Sequence, residues 1–121
     1  MQRRLALTLV LCASTLASGC ILRSTEDYTR DVRDLLSTKS TTIRSCYDEQ
    51  LANDGSLSGE TVVTFKVAKK TGTISDVAVD PSSTAPDALS QCVANALNGL
   101  ALDPGDMAPA DATYRWAFKA P

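Results

Sequence analysis

Hydrophobic positions along the chain change their spacing several times, and each spacing predicts a different element. The first stretch carries apolar residues three or four positions apart: Tyr28, Val32, Leu35, Leu36, Ile43, Cys46, Tyr47 and Leu51. This spacing is typical of one helix face, and Ser24-Thr25-Glu26-Asp27 before it provides a capping hydroxyl and first-turn acids. The polar run 37–42 interrupts the stripe. The sequence therefore predicts either one long helix that is weak in its middle or two helices that meet there.

Alternation replaces the helical spacing after residue 60. Val63, Phe65 and Val67 alternate with polar residues, as in a strand with one buried face. Lys69-Lys70-Thr71-Gly72 predicts a hairpin turn. The apolar positions of the next strand, residues 73–80, shift phase by one residue, which predicts a β-bulge near Ser75-Asp76.

A second helix and a last strand complete the pattern. Pro86-Asp87 opens the helix, whose apolar stripe is Leu89, Cys92, Val93, Ala96, Leu97 and Leu100. The last strand, residues 112–119, places Tyr114, Trp116 and Phe118 on one face. These aromatics are interpreted as core packing under the helices, with a binding surface as the alternative. The order predicts an α+β fold, a two-layer αββαβ domain with a three-stranded antiparallel sheet and two helices packed on one face.

The composition of the chain excludes several kinds of catalytic and binding site. The chain has 12 basic and 14 acidic residues, a formal charge of -2 and no histidine, which excludes Ser-His-Asp and Cys-His catalysis and histidine-bearing zinc sites. It lacks the basic field of nucleic-acid-binding proteins. Asp103, Asp106 and Asp111 do not fit the EF-hand spacing and are expected to be solvated loop acids. We therefore expect no enzyme activity, no catalytic residue, no cofactor, no metal site and no nucleic-acid partner.

The N-terminus has the form of a secretory signal: Arg3-Arg4, an apolar run from Leu5 to Leu16, and small residues. Leu16-Ala17-Ser18-Gly19-Cys20 resembles the lipobox of bacterial lipoproteins. That resemblance implies removal of residues 1–19 and acylation of Cys20, so that lipid attaches the chain to a membrane. Because Ile21 rather than aspartate follows, attachment to the outer membrane, facing the periplasm, is favoured. The alternative is an ordinary signal peptide cut after Gly19, with Cys20 a plain thiol.

Signal removal would take away two arginines and no acid. The mature part would then have 102 residues, 10 basic and 14 acidic, and a charge of -4. It would also keep Cys46 and Cys92, an even pair that in an exported protein predicts a disulfide. Two buried free thiols or redox chemistry are the alternatives, although the wide separation is unlike a CxxC motif. A disulfide closing this loop would stabilise the fold by about 4 kcal/mol in the chain-entropy model.

Several motifs together resemble one family. They are Ile43 with Cys46-Tyr47 and Leu51, Val63-x-Phe65-x-Val67, the hairpin at Gly72, Val77-x-Val79, Ser82-Ser83 and Asp87-x-Leu89-x-x-Cys92-Val93. In this order they resemble the AgmX/PglI C-terminal domain, a TonB-like module of bacterial envelope proteins. With the signal predicted at 1–19, the resemblance leaves a membrane-proximal tether and helix start at 20–40 and the domain at 41–121.

The resemblance implies binding of a protein partner by strand addition at an exposed sheet edge, without catalysis. The candidate edge is the last strand, with Thr113, Tyr114, Arg115, Trp116 and Lys119 as its binding residues. Arg115 and Lys119 fit ordinary edge protection equally well. We expect a lipid-anchored protein of an envelope transport or motility assembly. The alternative is a structural or accessory outer-membrane lipoprotein without a discrete peptide partner.

Overall fold

The computed structural model describes residues 20–121, so the predicted signal peptide, residues 1–19, lies outside the described residues. The elements in chain order are α1 (Thr25–Ser37), α2 (Ser40–Leu51), β1 (Gly59–Val67), β2 (Ile74–Val79), α3 (Asp87–Ala96) and β3 (Ala110–Phe118). The predicted α+β class and three-stranded antiparallel sheet are confirmed. The first helical stripe forms two helices, and β3 begins two residues earlier than predicted.

Hydroxyl side chains explain the break between α1 and α2. The Ser24 side chain caps α1 by accepting a hydrogen bond from the Asp27 backbone N–H at 3.1 Å. At the other end, Ser37 and Thr38 donate to backbone carbonyls one turn earlier, at 2.6 and 2.7 Å. Such bonds compete with the regular helical ladder and favour helix ends. The polar run therefore separates two helices at Thr38-Lys39, rather than weakening one long helix.

The sheet has the strand order β2-β1-β3, with both pairings antiparallel. Strand β1 lies in the centre and pairs with β3 along its whole length. Between the pairs Thr64↔Ala78 and Lys66↔Ser75, strand β2 carries one extra residue. Asp76 in this segment has a positive φ of 53°, which places the predicted bulge where the phase shift indicated.

The core lies between one face of the sheet and the helices. Alternate residues of β1, from Thr61 to Val67, are at most 2% exposed. The three hydrophobic ones, Val63, Phe65 and Val67, join a buried cluster with residues of all three helices, including Val32, Leu36, Ile43, Cys46, Leu89 and Val93. The opposite face carries the exposed ion pairs Lys66–Asp111 and Arg115–Glu60, at 3.0 and 2.8 Å. Val62 on this second face is also only 2% exposed, but the helices contribute their buried residues to the first face, which makes this a two-layer fold.

Helix α1 belongs to the domain. Residues 20–40 were expected to form a tether and helix start, but Val32 and Leu36 are 7% and 2% exposed within the core. Their positions continue the apolar stripe of α2, so the same hydrophobic face packs both helices on the sheet. The folded unit therefore begins well before residue 41.

A disulfide joins Cys46 on α2 to Cys92 on α3, with the Cα atoms 5.8 Å apart. The predicted pairing is thus confirmed, and neither cysteine is free. Since Cys46 is buried in the core, the bond fixes two helices against each other over the central strand.

Candidate functional site

Strand β3, which contains most of the predicted binding residues, lies at one edge of the sheet. Thr113, Arg115 and Lys119 are exposed, while Tyr114 and Trp116 are half-buried. Lys119 lies just beyond the end of the strand. The structure therefore places the whole predicted set along one edge, which the sequence alone could not establish because it does not reveal strand order.

The backbone register shows which β3 groups face outward. The backbone carbonyl of Val62 accepts a hydrogen bond from the Asp80 N–H on the β2 side, at 2.8 Å. The backbone carbonyl of Glu60 accepts one from the Thr84 N–H on the same side, also at 2.8 Å. Even-numbered residues of β1 thus direct their backbone groups toward β2, and odd-numbered residues direct theirs toward β3. Because Val63 pairs with Tyr114, even-numbered residues of β3 bond to β1. The N–H and C=O groups of Asp111, Thr113, Arg115 and Ala117 therefore point away from the sheet.

The other sheet edge, at β2, is partly covered. The Ile74 N–H donates to Leu100 O at 3.0 Å, and the Leu102 N–H donates to Gly72 O at 2.8 Å. This segment crosses so close to the hairpin that a Cβ on Gly72 would collide with the Leu102 carbonyl. The bulge at Asp76 interrupts the remainder. Strand β3 is thus the longer and more regular free edge.

A surface groove follows β3 on its helix side. Its first section, about 500 Å³, lies between α1 and residues 108–114. Its middle section shares Arg33 and Tyr114 with the first, and its last section, along α2, shares Ser40 and Trp116 with the middle. We call these three adjoining depressions together the β3 groove. It lies directly beside the outward-facing backbone groups of the strand.

Aromatic side chains line the β3 groove. Tyr114 and Trp116 are in tilted contact, with ring centroids 4.9 Å apart. Phe118 stacks on Tyr47 of α2 at 5.0 Å. The aromatic row packs against the core, but each ring remains only half-buried because an edge strand has no neighbour beyond it. Core packing and an accessible apolar surface thus coexist on the same side chains.

Positive charges exceed negative charges along the middle and far end of the groove. Arg33, Arg44, Arg115 and Lys119 line these sections, opposed by Asp48. Arg115 is paired with Glu60 on the other sheet face. This local excess contrasts with the acidic balance of the chain.

The near end of the groove contains a buried ion pair. Asp106 is 0% exposed and accepts hydrogen bonds from the backbone N–H groups of Arg23 and Ala108, at 2.8 and 2.9 Å. The Arg23 guanidinium lies 3.4 Å from Asp106 Oδ2 and 2.7 Å from Asp31 Oδ2. The expectation that Asp106 is a solvated loop acid is therefore wrong, because Arg23, far away in sequence, neutralises it.

The contacts of Asp106 determine the pKa of its carboxyl group. Burial alone raises the pKa of Asp106, but the hydrogen bonds from Ala108 and Arg23 and the Arg23 charge outweigh it, so its pKa lies below the ordinary value. Burial, followed by the Asp106 charge, raises the pKa of the neighbouring Tyr28. The Tyr28 hydroxyl donates to Ala108 O at 3.0 Å. A carboxylate saturated with donors in this way positions the chain and is poorly suited to proton transfer.

Cys20, the predicted lipidation residue, is a free half-buried cysteine. Its Sγ atom lies 3.3 Å from the Lys70 carbonyl oxygen. Within residues 20–121, no helix is both long enough and apolar enough to cross a membrane. In the same residues, no three His, Cys, Asp or Glu side chains come together as a possible metal site.

Comparisons of the chain with protein-family models, with curated proteins and with solved structures return no match. The resemblance to the AgmX/PglI C-terminal domain therefore stays a prediction.

Proposed function

We propose that the chain is a lipid-anchored envelope protein whose domain binds an extended segment of a protein partner at the β3 edge, without catalysis. Cys20 would carry the lipid, and the partner would belong to an envelope transport or motility assembly. The single observation that carries the binding proposal is a regular nine-residue edge strand beside the adjoining depressions of the β3 groove. Unpaired strand edges are what strand-adding segments bind.

An added strand would use the backbone and the groove together. It would lie about 4.8 Å from β3, with its backbone bonded to Asp111, Thr113, Arg115 and Ala117. Every second side chain would point to the helix side and enter the β3 groove. The backbone bonds would supply affinity, while the half-buried aromatic row would select apolar groups at alternate positions.

The charges beside the groove indicate the partner's chemistry. Arg33, Arg44 and Lys119 surround its middle and far end with Asp48 as the opposing charge. Carboxylates flanking the apolar positions of the partner segment would complement this field and speed association. We therefore expect an extended segment with alternating apolar residues and acidic neighbours.

Ala117→Pro tests the proposal most selectively. The Ala117 N–H points outward, so proline removes one donor at the free edge without removing a β1–β3 bond, a position where edge strands tolerate proline. Ala117→Val is the matched control, because it keeps the N–H and places its side chain on the exposed face. Both variants are compared by cross-linking in intact envelopes, and the captured partner is quantified by mass spectrometry.

We expect Ala117→Val to capture the partner like the unmodified chain and Ala117→Pro to lose capture by tenfold or more, about 1.4 kcal/mol. Circular dichroism and the Cys46–Cys92 bond verify that each variant is folded. Undiminished capture by a folded Ala117→Pro chain contradicts strand addition. Failure of the unmodified chain to capture any stoichiometric partner favours the accessory-lipoprotein alternative.

A further inference from the structure

Exposed aliphatic groups gather at one place beside Cys20. In the part of the chain that the structure describes, the large exposed hydrophobic residues are Ile21, Leu22 and Met107, at 41%, 75% and 53% exposure. The Ile21 N–H donates to Gly105 O at 3.1 Å, and the Met107 N–H donates to Ile21 O at 2.8 Å. Backbone hydrogen bonds therefore hold two distant segments side by side and bring these three exposed residues to the same corner of the domain.

This surface is fixed to the domain. The Lys70 N–H donates to Asp106 O at 2.7 Å, and a Cβ on Gly105 would collide with the Lys70 carbonyl. The loop and the β1–β2 hairpin turn are thus in direct backbone contact. Beneath them, the buried Arg23–Asp106 pair joins the residues after Cys20 to the loop that carries Met107.

Exposed aliphatic side chains beside a lysine-bearing turn and Cys20 are suited to contact with lipid. Lys69 and Lys70 are exposed in the hairpin turn whose backbone contacts this loop, and Cys20 Sγ lies 3.3 Å from the Lys70 backbone carbonyl oxygen. Apolar side chains flanked by ammonium groups bind the interface of a bilayer with anionic headgroups. An acyl chain on Cys20 would begin beside these exposed residues, because Cys20 directly precedes Ile21, and the Ile21 backbone is hydrogen-bonded to the loop.

We propose that Ile21, Leu22 and Met107, flanked by Lys69 and Lys70, form a membrane-docking surface that holds the domain directly on an anionic bilayer. The proposal rests on the lipid-anchor part of the proposed function. Strand β3 begins at Ala110, three residues after Met107, so this end of the β3 groove lies near the lipid. The strand then extends for about 27 Å, and its orientation is fixed relative to the membrane.

The test measures contact between residue 107 and the acyl region of a bilayer. Met107→Trp is made in a Trp116→Phe background, which removes the only native tryptophan. The control is Asn53→Trp in the same background, an exposed position in the turn that leads to the other end of β1. The full chain is expressed with its N-terminal residues, extracted from membranes, and reconstituted in phosphatidylethanolamine–phosphatidylglycerol vesicles containing a brominated lipid.

We expect several-fold stronger quenching for the tryptophan at position 107 than for the one at position 53. Weaker quenching is expected with Lys69→Gln/Lys70→Gln and in phosphatidylcholine vesicles. Equal quenching at both positions in a chain whose mass shows an acylated Cys20 overturns the docking surface and leaves the anchor intact. An unmodified Cys20 overturns the anchor and the docking surface together, so the two failures are distinguishable.

Discussion

At the residue scale, the Arg23–Asp106 pair decides how the chain before α1 is held. One carboxylate receives two backbone donors and one guanidinium, and that guanidinium also contacts Asp31. Removing one partner of such a buried group leaves donors without an acceptor, which costs more than the intact interaction contributes. Asp106 is therefore the polar residue whose loss we expect to matter most for stability.

We predict that Asp106→Asn lowers the free energy of unfolding by about 1–3 kcal/mol. The amide keeps the shape of the carboxylate but brings N–H groups toward Arg23 and removes the negative charge. Urea denaturation measures the change, with Asp103→Asn, an exposed acid of the same loop, as the control. Equal midpoints for both variants would contradict the role assigned to Asp106.

The ionisation of Asp106 should make the stability of the fold depend on pH. Because the folded pKa of Asp106 lies below its ordinary value of 3.8, its contribution is fully present above that value and is lost as the pH falls through the lower folded pKa. The stability difference between the unmodified chain and Asp106→Asn should therefore shrink only below about pH 4. A difference that already shrinks between pH 7 and pH 5 would contradict this assignment.

Sequence reasoning could not have found this pair. Asp106 lies among Asp103 and Asp111 in a loop with two prolines, and nothing local distinguishes it from an exposed acid. Its carboxylate is neutralised by Arg23, which lies 83 positions earlier in the chain. Cys46 and Cys92 were predictable because each lies on the apolar stripe of its own helix, so helical period alone turned both toward the core.

At the element scale, local pattern predicted the strands, the hairpin turn, the bulge and α3. The alternation of Val63, Phe65 and Val67 encodes which β1 face is buried, and the phase shift around Asp76 encodes the bulge. The pattern did not decide between one helix and two, because the polar run 37–42 is compatible with either. Hydroxyl-to-carbonyl bonds at Ser37 and Thr38 mark the break, and the composition of the run does not reveal which of its hydroxyls make them.

The disulfide connects two of these elements, and its removal should be costly. We predict that reducing Cys46–Cys92 lowers the free energy of unfolding by about 4 kcal/mol, because it restores freedom to the unfolded loop. Denaturant unfolding with and without reductant measures this loss. The Cys20→Ser variant should lose the same amount of unfolding free energy on reduction, because Cys20 is not part of the disulfide. An unchanged midpoint after complete reduction would contradict the expected stabilisation.

At the scale of the whole molecule, a buried α1 changes how the domain meets a membrane. The helical spacing of Tyr28, Val32 and Leu36 predicts a helix. It does not indicate whether that helix belongs to the domain or to a tether that leads to it. With α1 packed, only Cys20 to Ser24 precede the helices in the described chain, and Ile21 and Arg23 are themselves bonded to the loop 104–107.

Lipid attachment gives a prediction for the intact protein. We expect chain extracted from bacterial membranes to have the mass of residues 20–121 with acyl chains on Cys20. Reductant should add only the two hydrogens of the opened Cys46–Cys92 bond. Mass spectrometry of the Cys20→Ser variant supplies the control, which should lack the acyl mass. A mature Cys20 without added mass would contradict the anchor.

The central claim is that β3 offers an unpaired edge to an extended partner, and residue-resolved amide hydrogen exchange tests it most directly. In the chain alone, we predict slow exchange at Tyr114 and Trp116, whose N–H groups bond to β1, and fast exchange at Arg115 and Ala117. Binding of the captured partner should slow Arg115 and Ala117 selectively. Slow exchange at these two residues in the free chain, or unchanged fast exchange in the complex, would contradict strand addition at β3.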